Sequence, residues 1–255
     1  MGSIHSGMCF LLCTHLIFVF FIRLCCTFVQ DDVLQLTIRR ADQHFWSLRL
    51  DPRLLHLLQR AGFYGVYRLG WLQVDHALVT ALVERWREET HTFHLPVGEA
   101  TITLEDVAVL LGLPVDGDAV CYQDMLRTTE DRQAICLELL GAAPPTHVLH
   151  YGRLRLTWLV QRLEQMPTTY LAPDVLEQYA RIAILCMLGG HYLSDCSDNM
   201  VKMMYLPLLR DLDACGRLSW GSAILAWLYR CLCRAASRGQ RDIPGALMLL
   251  QVLLT

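Results

Sequence analysis

The sequence predicts a mainly α-helical, multi-helix globular domain with one short β-hairpin near residues 91–103. Three observations carry that prediction. Apolar residues recur at helical spacing through most of the chain from Asp31 onward. Residues suited to helix starts (Asp51-Pro52, Asp75, Thr103, Ser219) and stops (Gly62, Gly112, Gly141) bracket those runs. The period drops to two in one place, between Thr92 and Thr103, around the turn Pro96-Val97-Gly98.

Taken in order, Asp51 caps a helix with Pro52 at its first position, where no N–H is needed. Gly62 follows the run Leu54, Leu55, Leu57 and Leu58. Asp75 caps a helix on which Leu78, Leu82 and Trp86, with Val79 and Val83, form one apolar stripe. Thr92-Phe93-His94-Leu95 and Ala100-Thr101-Ile102-Thr103 are the alternating arms of the hairpin. Thr103 and Asp106 have capping-box spacing and open a helix that ends at Gly112, with Pro114 beyond. A helix over Glu130–Leu140 stops at Gly141, and Pro144-Pro145 marks a loop and the best internal boundary. Leu154–Met166 reads as a further helix. Asp174–Leu188 ends in IAILCML, apolar on every side and too short for a bilayer, which predicts a buried central helix. Met200–Cys215 reads as a helix broken at Pro207. Ser219 caps an amphipathic helix carrying Trp220, Ile224, Trp227, Leu228 and Cys231 on one side. A last apolar run, Ala246–Leu254, has no stop signal, as expected of a truncated domain.

The chain has 255 residues, enough for one large domain or two small ones with a sizeable core. Hydrophobic residues make up 54% and charged residues 18%, which excludes a disordered chain. A net charge of −3 excludes a global basic field for nucleic acid. Lys202 is the only lysine among 22 basic residues. Arginine suits bidentate and stacked contacts at interfaces, and codon bias accounts for the excess equally well.

Residues 1–30 form a hydrophobic segment set apart from residues 31–255. Within it, residues 9–29 have an apolar core at Leu16–Ile22. No Lys or Arg precedes that core, a poor flank for a signal peptide. Arg23 interrupts it, and spanning a bilayer would bury that charge at a cost of about 2.5–3.5 kcal/mol. Three readings stand: a membrane anchor, an uncleaved leader, or sequence added by a wrong gene start. The only asparagine, Asn199, is not in a glycosylation acceptor. The cysteines beyond Cys26 are odd in number and lack a framework spacing, which points to reduced thiols in the cytosol or nucleus.

Several constellations were candidates for chemistry. His91 and His94 have a metal-like spacing, but residues three apart on a strand face opposite sides. Cys231 and Cys233 diverge on a helix and read as packing residues. Asp195, Asp198 and Asn199 crowd a turn that lacks the oxygen ladder of a calcium loop. Glu84, Glu88 and Glu89, mixed with Arg85 and Arg87, could serve acid–base catalysis but read as a solvated face. Gly117-Asp118 lacks the histidine of a phosphatase metal motif. Phosphate-binding loops, nucleophile elbows and dinucleotide fingerprints are absent. No catalytic residue, metal or cofactor is therefore expected. A candidate interaction surface remains: Arg230, Arg234, Arg238 and Arg241 near one helix end, and the aromatic segment with Phe63, Tyr64 and Trp71.

Four segments carry a family resemblance: DPRLLHLLQRAGFYGVYRLG, DHALVTALVERWREETHTFHLPVGEATITLEDVAVLLGLPVDG, YARIAILCMLGG and MYLPLLRDLDACGRLSWGSAILAWLYRCLCRA. In this order they resemble the plant mobile domain of maintenance-of-meristems-like proteins and long-form homologues of a type-7 serine/threonine phosphatase. The resemblance implies a mainly helical domain of host genes and transposable elements. It also implies a nuclear role in meristem maintenance, genome integrity and transposon silencing, with a phosphatase-like protein partner. The family's other label, aminotransferase-like, implies a Schiff-base lysine. Lys202 is the only candidate and has no glycine-rich phosphate cup beside it. The expected function is a non-catalytic protein-interaction or chromatin-associated module. The alternatives are an inactive transposon-derived or truncated fragment, and a hydrolase or transferase using acids near Glu84–Glu89. Nucleic acid is a secondary partner class, and a membrane is one only if residues 9–29 are an anchor.

Overall fold

A computed structural model describes residues 36–38, 43–96, 98–122, 128–194, 199–237 and 242–252. The expectations for residues 1–30, Asp195, Asp198, Arg238 and Arg241 lie outside the described residues. Among the described residues, no helix is long and apolar enough to cross a membrane.

The chain is mainly helical with small sheets, as predicted. Among the described residues the first elements are β1 (Thr37–Ile38) and α1 (Gln43–Ser47). Asp51 accepts from the Arg53 N–H and opens a 3-10 turn, Pro52–Leu54, that runs into α2 (Leu55–Arg60). Then come α3 (Tyr64–Leu69) and α4 (His76–Val83), the latter capped by Asp75 through the N–H groups of Ala77 and Leu78. Strands β2 (Trp86–Arg87), β3 (Thr92–Leu95) and β4 (Gly98–Ala100) form an antiparallel sheet. Helix α5 (Leu104–Leu111) has the predicted box, with Asp106 Oδ2 accepting from the Thr103 N–H at 2.7 Å. Helix α6 (Thr129–Leu140) has a second box, Thr128 with Asp131.

Next come β5 (Leu149–His150), β6 (Arg153–Arg155), α7 (Leu156–Glu164) and α8 (Pro173–Met187). A π-helical turn, Leu188–Tyr192, and β7 (Met200–Lys202) follow. A 3-10 segment, Met203–Leu209, leads to α9 (Leu212–Cys215), α10 (Trp220–Ala236), β8 (Asp242–Ile243) and α11 (Met248–Val252).

Three local readings are corrected. Trp86 continues the helical spacing of Leu78 and Leu82, yet α4 ends at Val83 and Trp86 pairs with Phe93 across β2–β3. Their rings lie 4.8 Å apart, so packing with the hairpin overrides the local period. Leu154 and Met200, read as helix starts, lie in β6 and β7, which pair antiparallel with Leu154 opposite Val201. Ser219 Oγ makes no cap bond to α10; it donates to the Asp118 carbonyl at 2.9 Å.

Helix α8 is the centre of the core, with every side chain from Tyr179 to Met187 buried. Arg181 is buried there without being stranded. Its Nε donates to Leu209 O at 2.8 Å, and Nη2 reaches Glu177 at 2.7 Å and Arg210 O at 2.9 Å. A buried charge persists only with such partners. Gly189 lets the π-helical turn close on the second sheet, since a Cβ there would stand 2.3 Å from Val201 Cβ.

Candidate functional site

Helix α10 is apolar on the side facing α5 and β2 and polar on the other, which sets where its arginines stand. Arg230 and Arg234 are exposed, one turn apart. Neither joins an ion pair among the described residues. The helix beneath them is firmly seated. The Tyr229 ring stacks on His91 at 5.4 Å and packs against Trp86 at 5.3 Å. Its hydroxyl donates to Ile102 O at 2.5 Å. Trp86 Nε1 donates to Cys233 Sγ at 3.3 Å. At the helix end, Ser237 Oγ donates to Glu88 at 3.5 Å.

The expected aromatic segment does not join this edge. Phe63 is fully buried, its ring 5.3 Å from Trp220. Trp220 opens α10, and a rise of 1.5 Å per residue puts Arg230 about 15 Å further along the axis. Tyr64 is half-buried, with the Arg68 guanidinium 5.9 Å from its ring centre. Trp71 packs 5.4 Å from the buried His191, whose ring also meets Trp46 at 5.7 Å and Tyr192 at 5.2 Å. This aromatic box sits on the π-helical turn, and burial raises the Tyr192 phenol above its ordinary value. Of the expected surface residues, Arg230 and Arg234 stand together, Tyr64 and Trp71 are partly covered, and Phe63 belongs to the core.

The catalytic candidates do not converge. Glu84, Glu88 and Glu89 are exposed, and Glu84 pairs with its neighbour Arg85 at 3.8 Å. His94 Nε2 lies 2.8 Å from Glu99 Oε1, while His91 takes a positive φ of 52° and stacks on Tyr229. The two imidazoles thus serve different contacts. Gly117-Asp118 forms a seam with the start of α10: Asp118 N donates to Arg217 O, and Ser219 N donates to Asp118 O at 2.8 Å. A Cβ at Gly117 would stand 2.1 Å from Arg217 O, so the glycine serves that close approach. Burial pushes the Cys136 and Cys215 thiols up to about 12, which keeps them protonated and unreactive.

One further basic feature is assembled only by the fold. A cavity of about 190 Å³ has Tyr122, Arg132, Gly152, Arg153 and Lys202 in its lining. Its basic residues come from α6, the start of β6 and the end of β7, far apart in sequence. The available signal was the Arg-Leu-Arg and Met-Val-Lys alternation, with basic residues on one face of two short strands.

A family model, described as plant mobile domain, matches residues 62–254. The chain belongs to the plant mobile domain family. It is 46% identical over 80% of its length to an Arabidopsis thaliana protein named serine/threonine-protein phosphatase 7 long form homolog, covering 15% of that protein. It is 41% identical over 81% of its length to Protein MAIN-LIKE 2 of the same plant, covering 30% of it. To Protein MAINTENANCE OF MERISTEMS, also from Arabidopsis thaliana, it is 36% identical over 87% of its length, covering 45%. The chain therefore spans less than half of these relatives. No solved structure gives a significant match.

Proposed function

We propose that this plant mobile domain is a non-catalytic interaction module that contacts a protein partner through the Arg230–Arg234 edge of α10. The observation that carries the reading is the pair of exposed arginines, without ion-pair partners among the described residues, on a helix pinned at Tyr229 and Trp86. A fixed helix presents guanidinium forks with little further loss of backbone freedom, which favours acidic partner surfaces. The exposed positions of Glu84 and Glu88 give the hydrolase or transferase alternative no support. The name of Protein MAINTENANCE OF MERISTEMS supports a part in meristem maintenance. The nuclear setting, chromatin association through the partner, genome integrity and transposon silencing in this proposal rest on the family resemblance alone. The phosphatase-like partner likewise rests on the family resemblance.

Affinity purification of the tagged chain, with microscopy on the same line, tests this. Recovery of a phosphatase-like protein and a nuclear signal are expected. The double variant Arg230→Ala/Arg234→Ala should lose most of that recovery while keeping its melting temperature. Unchanged recovery from the double variant would overturn the surface assignment, and a membrane signal would overturn the nuclear setting.

A further inference from the structure

We propose that the cavity between α6 and the β5–β6–β7 sheet is a phosphate-binding site, taking inorganic phosphate or the head group of a small phosphomonoester.

Register brings the cations together. Arg153 and Lys202 are direct partners across β6–β7, so their side chains leave the same face of the sheet. Like charges placed opposite each other destabilise a strand pair. The third cation comes from α6. Gly152 precedes Arg153 at φ +75°, and a Cβ there would stand 3.9 Å from Arg132 Nη2, so the guanidinium lies against the bare turn. None of the described residues lining the cavity is acidic.

Two of these cations, Arg132 and Lys202, have donors without acceptors among the described residues. Arg132 Nε is fully buried and has no hydrogen-bond partner. A buried N–H left unpaired costs about 1–3 kcal/mol, and more on a charged group. Asp131, next along the chain, bonds the Thr128 N–H at 3.0 Å as the helix cap. The Lys202 ammonium sits 4.6 Å from the Trp227 ring centre, a contact that uses its charge and leaves its N–H donors for an acceptor. Arg153 has a further interaction of its own, so Arg132 and Lys202 carry the site.

Charge and size then select the ligand. Several converging N–H donors match the multiple oxygens of a phosphate, and arginine does so bidentately. A volume of about 190 Å³ is below the roughly 300 Å³ of pockets that enclose a whole drug-sized ligand. The cavity therefore holds a head group, and Tyr122 lies in its lining as a further hydroxyl donor.

Calorimetric titration of the full chain in a chloride buffer, against inorganic phosphate and against O-phosphoserine, tests the site. Saturable binding of either supports it. Tighter phosphoserine assigns an esterified head group, and equal or tighter inorganic phosphate assigns the simple ion. Arg132→Gln and Lys202→Gln should each weaken binding roughly tenfold, the loss of one charge-assisted hydrogen bond. Arg132→Lys should recover part of it, and Arg87→Gln, at an exposed arginine of β2, should bind as the parent does. Circular dichroism without phosphate separates lost binding from lost folding. No saturable heat from the parent protein, or undiminished binding by a folded Arg132→Gln/Lys202→Gln double variant, would overturn the proposal.

Discussion

The two three-stranded antiparallel sheets are built alike on their inner faces and differently on their outer ones. The β2–β3–β4 sheet buries Trp86, Phe93 and Leu95, and the β5–β6–β7 sheet buries Leu154 and Val201. On the outer face of the first, His94 lies opposite Glu99 with their side chains 2.8 Å apart, and Thr92 Oγ1 donates to the same carboxylate at 2.9 Å. On the outer face of the second, Arg153 lies opposite Lys202, with His150 paired to Arg153 on the other side. The strands of this sheet carry no acidic residue. Apolar alternation sets the register of both. The first sheet then balances its own charges, while the second gathers charge of one sign toward a cavity.

The inner faces supply the largest expected effects. Phe93→Ala should cost about 3–5 kcal/mol and Leu154→Ala about 2–5 kcal/mol in urea unfolding, because each empties a fully buried position. A Leu154→Ala cost below about 1 kcal/mol would mean that the second sheet is not part of the common core, and the likeness of the two sheets would fail. Gly189→Ala comes next. Alanine in a helical turn normally gains up to about 1 kcal/mol over glycine. Here the new Cβ would stand 2.3 Å from Val201 Cβ and 2.9 Å from its Cα, so a net loss of about 1–3 kcal/mol is expected. A stabilised Gly189→Ala would show that β7 yields easily, and that its register is loosely held.

The outer faces give smaller effects of different sign. Glu99→Gln should cost about 0.2–1 kcal/mol, less at high salt, since it leaves His94 and Thr92 without their shared carboxylate. Lys202→Gln, measured without phosphate, should stay within about 0.5 kcal/mol of the parent. It loses a contact with the Trp227 ring of about 0.5–1 kcal/mol and relieves a like-charge pair. Thermal melts of both variants at two salt concentrations measure the contrast. A Lys202→Gln loss as large and as salt-sensitive as that of Glu99→Gln would show the second sheet to be internally compensated too.

The difference between the sheets also explains what was legible in the sequence. Two strands of the first form a local hairpin, which the alternation around Pro96-Val97-Gly98 reveals within a dozen residues, although the second arm is Gly98–Ala100 rather than Ala100–Thr103 and β2 reads as helix. The caps Asp75 and Thr103 are equally local. Strands β6 and β7 have three residues each, and each runs directly into a helical segment. A three-residue strand joined to a helical segment adds only two or three residues to the helical pattern, so both segments read as helix. Their pairing, and with it the meeting of Arg153, Lys202 and Arg132, depends on α8 lying between them in sequence and folding back. Phe63 fails as a surface residue for a related reason. Its burial is set by Trp220, which no local period places beside it.

The smallest effect bears on whether Asp131 belongs to the helix cap or to the cavity. Its carboxyl is held below the ordinary aspartate range, first by the Thr128 backbone N–H, then by the Thr128 side chain, and least by the charge of Arg132. A carboxyl with a lowered folded pKa contributes stability above its unfolded value, near 4, and loses it as pH falls through that value toward the folded one. Asp131→Asn should therefore leave a shallower decline of melting temperature on the acid side. If the cap holds the carboxylate, most of that difference should persist when the same substitution is made in an Arg132→Gln background. If it vanishes there, Arg132 and Asp131 neutralise each other. The second sheet would then balance its charge as the first one does, through a helix instead of a neighbouring strand.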